Sequence, residues 1–126
     1  MLENQPVIAF VATQNPAVSR RFYEDVLGLR FMADEPAALI FDAAGTMLRI
    51  QKVDKLEPHP FTTIGWKVTD IHAAVAELVG KGVTFEKYEF LSQDAHGIWT
   101  SPDGSGVAWF KDPDGNLVSL TAFAQA

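Results

Sequence analysis

Three histidines, an arginine and two tryptophans are the side chains of this sequence best suited to act on a small molecule. His96, in Gln93-Asp94-Ala95-His96, is the candidate general base or replacement metal ligand. The competing reading is a solvated loop histidine, since an imidazole that titrates near neutrality needs no function to be charged. His59 lies between Pro58 and Pro60, and His72 follows the helix-capping Asp70, so both read as surface residues. No two of the three show a ligand spacing such as His-x-x-x-His. Arg49 offers a planar fork that could clamp a carboxylate or phosphate, with a salt bridge as the plainer alternative. Trp99 is a candidate stacking surface for a planar ligand or a simple loop-packing residue. Trp109 sits in a strand with either face open to it, and Phe41 and Tyr88 are candidate pocket walls or core residues. Ser101 and Ser105 read as turn residues, because Gly104-Ser105-Gly106 lacks the setting of a serine nucleophile. The acids of the two Pro-Asp-Gly runs are turn formers without the spaced ligands of a calcium loop.

Composition narrows the chemistry further. The 126 residues contain no cysteine, which removes disulfides, thiolate metal sites and thiol nucleophiles together. Any metal must be held by His, Asp, Glu or water. Ten Lys and Arg against sixteen Asp and Glu give a net charge of −6, and the basic residues never cluster, so the protein's own field opposes phosphate-backbone binding and no nucleic-acid partner is expected. No apolar run approaches about 18 residues and the N-terminal stretch lacks a signal pattern, so a cytoplasmic protein with no membrane partner is expected. With 48% hydrophobic and 21% charged residues, one domain with an ordinary core is expected.

The elements that must position these residues form a repeat. Val7 to Ala12 is a continuous apolar run suited to a buried strand. Asn15 and Pro16 then open a helix, since the amide side chain caps an orphan N–H and proline wastes none in the first turn. Val18, Phe22 and Val26 recur every four residues until Gly28, a helix of about three turns. Leu29–Asp34, Ala38–Ala43 and Thr46–Lys52 read as strands separated by turn formers. After Val53–Pro60, a linker, the pattern restarts: strand Thr62–Val68, cap Asp70, a helical stripe from Ile71 to Val79, then a strand over Val83–Phe90. The caps Asn15 and Asp70 lie 55 residues apart, and Phe31 and Phe85 lie 54 apart. Two Pro-Asp-Gly turns bracket the strand Gly106–Lys111, and the last strand is Asn116–Phe123. The fold class is α+β, a single domain over 1–126 made of two β-α-β-β-β repeats (about 5–52 and 61–123) joined by linker 53–60.

The doubled unit, with FYEDVLGLRF at Phe22 to Phe31 and FKDPDGNLVSL at Phe110 to Leu120, resembles the vicinal oxygen chelate superfamily. That superfamily holds glyoxalase I, extradiol dioxygenases, fosfomycin-resistance enzymes and bleomycin-resistance proteins. The stretch Gly97 to Asn116 is also similar to a bacterial glyoxalase-like branch. The resemblance implies curved mixed sheets that form a cleft, and a homodimer in single-length members. Metal-dependent members place one ligand in each of four strands. Carried onto this sequence, those places fall on Ile8, Arg49, Thr63 and Ser119. An alkyl chain, a permanent cation and two neutral hydroxyls make no cage for a divalent ion. No metal and no cofactor are expected at the family position.

Strand alternation then assigns the faces. Ile8, Phe10 and Ala12 share one face of the first strand, and Met47, Arg49 and Gln51 one face of the fourth. Thr63, Gly65 and Lys67 lie opposite Ile64, Trp66 and Val68, and Leu117, Ser119 and Thr121 opposite Val118 and Leu120. Trp66 therefore reads as core. The expected ligand-binding residues are Ile8, Phe10, Arg49, Thr63, Trp99, Ser119 and Thr121, an apolar and hydroxyl-lined set with one strong cation. The leading reading is a metal-independent small-molecule binding protein of the glyoxalase/bleomycin-resistance type, sequestering an apolar or aromatic anionic compound. Its rival is a lyase or isomerase, metal-free with His96 and Arg49 or with relocated metal ligands. A pure interaction module is the third class, and fold alone does not choose among them.

Overall fold

The computed structural model describes residues 1–125; Ala126, the last residue of the expected domain, lies outside them. The chain forms two compact units, Met1–Pro58 and His59–Ala126. Their boundary falls within the segment expected as a linker. Among the described residues no helix is long and apolar enough to cross a membrane.

The first unit begins with β1 (Ile8–Thr13) and α1 (Pro16–Arg21), followed by β2 (Arg30–Asp34), β3 (Ala38–Ala43) and β4 (Thr46–Lys52). The sheet order is β1-β4-β3-β2, with β1 parallel to β4 and the other pairs antiparallel. Asn15 caps α1 by accepting a hydrogen bond from the Val18 N–H at 3.4 Å. The expected three-turn α-helix is corrected here: after Arg21 the chain widens into a π-helical turn over Phe22–Val26, and the Leu27 N–H donates to the Phe22 carbonyl. That turn carries Tyr23 to full burial, its ring 6.2 Å from Phe41. Apolar spacing of four could not reveal the extra residue, since both helix types put Phe22 and Val26 near one face. Val11, Leu39, Phe41, Leu48 and Ile50 complete the core on this side of the sheet. Phe41, one of the candidate pocket walls, is thus a core residue.

The second unit contains β5 (Thr62–Lys67), α2 (Ile71–Gly80), β6 (Trp99–Thr100), β7 (Gly106–Lys111) and β8 (Leu117–Ala122). Its order, β5-β8-β7-β6 with β5 parallel to β8, repeats the topology of the first. Asp70 caps α2 through the Ala73 N–H at 3.1 Å, and the helix buries Ile71 and Val75. The Asp112 carboxylate accepts from the backbone N–H groups of Asp114 and Asn116 at 3.0 and 2.9 Å and from the Asn116 amide at 2.9 Å, which fixes the β7–β8 reversal. In the other reversal the acid of the Pro-Asp-Gly run itself acts: Asp103 accepts from the Ser101 hydroxyl and the Ser105 N–H.

The strand expected over Val83–Phe90 is not formed. Only Phe85 bridges to Phe110, and the Glu86 N–H donates to the Trp109 carbonyl. Beyond that the Gln93 side chain takes the role of a neighbouring strand. Its amide oxygen accepts from the Tyr88 N–H at 2.7 Å, and its amide nitrogen donates to the carbonyls of Glu86 and Gly97 at 3.0 and 2.7 Å. Backbone groups already satisfied by a side chain need no ladder. The short strand β6 forms instead, and Trp99, expected in a loop, lies in it.

Candidate functional site

Register places the candidate residues of the first unit on one open sheet face. Ile8 is opposite Met47 and Phe10 opposite Arg49, so these four share a face. Ile8 is 47% and Phe10 53% exposed, high values for large apolar groups. The Arg49 guanidinium lies 3.6 Å from the Glu35 carboxylate. Of its two readings, clamp or bridge, the geometry supplies the bridge: any incoming anion meets a cation that already has an acidic neighbour.

The corresponding face of the second unit has different chemistry. Gly65, Ser119 and Trp109 lie side by side across β5, β8 and β7, and Lys67, Thr121 and Val107 form the next row. Trp99 stands opposite Val107 on the same face. Its ring is 6.4 Å from that of Trp109 with planes inclined by 36°, and Tyr88 meets Trp109 edge-on at 5.7 Å. All three aromatic residues are half-buried. Burial pushes the Tyr88 phenol up, with the Glu86 charge adding to the effect and Lys111 opposing it, so the hydroxyl is neutral at physiological pH. Lys111 is engaged by Glu86 at 3.3 Å. Lys67 is exposed and has no ion pair among the described residues. Thr63 is exposed at an irregularity in the β5–β8 pairing.

Sequence reasoning reached Ser119, Thr121 and Trp99 but left Trp109 undecided and gave Lys67 no role. A usable signal was present. Counting outward from the Asp112–Asn116 turn pairs Lys111 with Leu117 and hence Trp109 with Ser119, which puts the tryptophan on the hydroxyl face.

The histidines are elsewhere. His72 and His96 line a depression of about 280 Å³ with Val75, Ala76, Val79 and Ile98. Ile98 packs beside Gly106 and Ile71, on the helix-covered side of the sheet and away from Trp109. His96 is exposed, and its backbone N–H donates to the Asp94 carboxylate at 2.9 Å. The Ile98 N–H, also at 2.9 Å, is the main cause holding Asp94 below the usual carboxylate range; the His96 N–H and the charges of His96 and His72 add to it, against the opposing effect of burial. His59 stacks on Phe61 at 4.9 Å, both rings exposed.

The family's metal position can be tested on these side chains. Ile8 has no lone pair, Arg49 is a cation already facing Glu35, and Thr63 and Ser119 are neutral hydroxyls. This donor set does not fit a divalent ion, which needs several anionic or imidazole donors converging at about 2 Å. Among the described residues no group of three or more His, Asp or Glu is placed to hold one.

The family model described as the Glyoxalase/Bleomycin resistance protein/Dioxygenase superfamily matches residues 6–120. No curated protein sequence matches the chain. Among solved structures, a superfamily member from Sphaerobacter thermophilus is 24% identical with a TM-score of 0.75, covering 98% of this chain and 100% of its own. Lactoylglutathione lyase from Agrobacterium tumefaciens is 17% identical with a TM-score of 0.73 over 95% of both chains. The fosfomycin resistance protein FosX from Listeria monocytogenes is 14% identical with a TM-score of 0.74, covering 94% of this chain and 92% of that one. At these identities the likeness is one of fold.

Proposed function

The chain belongs to the glyoxalase/bleomycin resistance protein/dioxygenase superfamily, and from that premise we propose that it is a small-molecule binding protein that works without a metal ion and sequesters aromatic compounds. The observation that carries this reading is the tryptophan pair. Trp99 and Trp109, half-buried and 6.4 Å apart, share an open sheet face with the hydroxyls of Ser119 and Thr121. Aromatic walls with a few polar groups are the usual make-up of a small-molecule site. The donor set at the family position supports metal independence for the chemical reason already given.

A lyase or isomerase built on His96 and Arg49 draws less support. His96 opens on the helix-covered side of its sheet, and Arg49, in the first unit, faces Glu35. Homodimer pairing, supported by the family resemblance, and a cytoplasmic setting belong to the proposed reading. Thermal shift with a panel of planar aromatic compounds, on protein treated with EDTA, tests the proposal. A saturable rise in melting temperature without added metal is expected, because a ligand that binds only the folded state stabilises it by mass action. Elemental analysis showing one Ni, Fe, Mn or Zn per chain, with binding lost on its removal, would overturn it.

A further inference from the structure

Aromatic stacking alone leaves one group on the second sheet's open face without a use. Ser119 is only 8% exposed, yet its hydroxyl has no hydrogen-bond partner among the described residues. Among the described residues it is not one of the fully buried unpartnered polar atoms, so the hydroxyl opens to solvent on this face and is free to hydrogen-bond a group that arrives there. Beside Ser119 the neighbouring strand presents Gly65, where a side chain would put its Cβ 2.6 Å from the Ser119 Oγ. The glycine keeps a notch open over the hydroxyl. One row further along, Lys67 stands next to Thr121, exposed and without an ion pair among the described residues. The other cations nearby or in equivalent places are engaged, Lys111 by Glu86 and Arg49 by Glu35.

Resting on the aromatic-binding reading, we infer that this face takes a planar aromatic carboxylate, its ring against Trp109 and Trp99 and its oxygens at the Ser119 hydroxyl and the Lys67 ammonium. Two strand spacings separate Gly65 from Trp109, roughly 10 Å, which is about the length of a bicyclic aromatic acid. One ammonium and two hydroxyls match a monoanion. A phosphate dianion calls for an arginine fork or a richer set of donors, which the face does not present.

The test titrates 2-naphthoate and its neutral isostere 2-naphthamide into the EDTA-treated full chain, read by tryptophan fluorescence and calorimetry. Lys67→Met, Lys67→Arg and Ser119→Ala are compared with wild type after circular dichroism confirms folding. Wild type is expected to prefer the acid by about tenfold. Lys67→Met should bring acid and amide to within about twofold while Lys67→Arg keeps most of the preference, and Ser119→Ala should weaken the acid several-fold. Equal binding of the two probes to wild type, or a preference untouched by Lys67→Met, would overturn the carboxylate assignment and leave the aromatic-binding reading standing. Binding of neither probe would overturn both.

Discussion

The two halves of this chain share one topology and differ in how they finish the sheet. In the first, β2 is a regular strand, and Phe31 packs edge-on against Phe41 with centroids 5.5 Å apart and planes at 74°. In the second, the equivalent strand is lost, yet Phe85 packs on Phe110 at the same 5.5 Å and at 72°. The aromatic contact survives where the ladder does not. What a repeat must keep is therefore the buried side-chain pair, and backbone pairing can be handed to a side chain such as Gln93. The irregular segment so released carries Tyr88 and His96 and leads into Trp99 at the start of β6, the groups that distinguish the second unit. A similar exchange separates the open faces. Phe10 occupies opposite Arg49 the place that Gly65 holds opposite Ser119. One face is filled by a ring and the other is notched.

The largest expected effect breaks the substitute strand. Gln93→Ala removes three hydrogen bonds from the Glu86–Gly97 segment and should cost about 2–4 kcal/mol, read by denaturant melts, with a change in Trp109 fluorescence as Tyr88 loosens. An unchanged midpoint would mean the segment is held by other contacts. Next, Gly65→Ala should cost up to about 1 kcal/mol, since the new methyl meets only the rotatable Ser119 hydroxyl, and the double variant with Ser119→Ala should recover that cost. Strict additivity would deny the contact.

A smaller effect sharpens the comparison through pH. Asp94 binds its proton less readily in the folded chain, so it stabilises the fold above the ordinary carboxylate value of about pH 4, and that support fades as pH falls through its lowered folded value. Asp94→Asn should flatten the acid limb of a stability–pH curve below about pH 4 and leave the neutral region's slope alone. The smallest effect concerns the helices. Ser19 is fully buried with an unpartnered hydroxyl, and the residue 55 positions later is Ala74. Ser19→Ala makes α1 resemble α2 at that point and should be neutral or stabilising by up to about 1 kcal/mol in thermal melts. Clear destabilisation would show that the hydroxyl has a partner such as water.

Much of the fold was legible because its signals are local. Asn15 and Asp70 cap their helices by the chemistry their types suggest, and the Asp-Pro-Asp-Gly-Asn turn closes on Asp112. The misread elements depend on partners distant in kind or in sequence. Val83–Phe90 has strand composition, but its backbone groups are taken by a glutamine amide that hydropathy does not register. The π-helical turn keeps the apolar spacing of an α-helix. At the candidate site, Arg49 was singled out by type alone, while its pairing depends on the β2–β3 turn bringing Glu35 alongside. Lys67 was visible only as the third residue of a face. Its lack of a partner is a property of the folded unit.

An aromatic ligand is expected to bind the second sheet's open face without a metal ion. The most direct test is fluorescence titration of 2-naphthoate into EDTA-treated wild type and into Trp109→Leu, in which Trp66 and Trp99 remain as reporters. Saturable binding in wild type, unchanged by added Ni or Mn and weakened at least about tenfold in the variant, is the predicted result. Binding that appears only when the metal is added, or that Trp109→Leu leaves intact, would contradict the account.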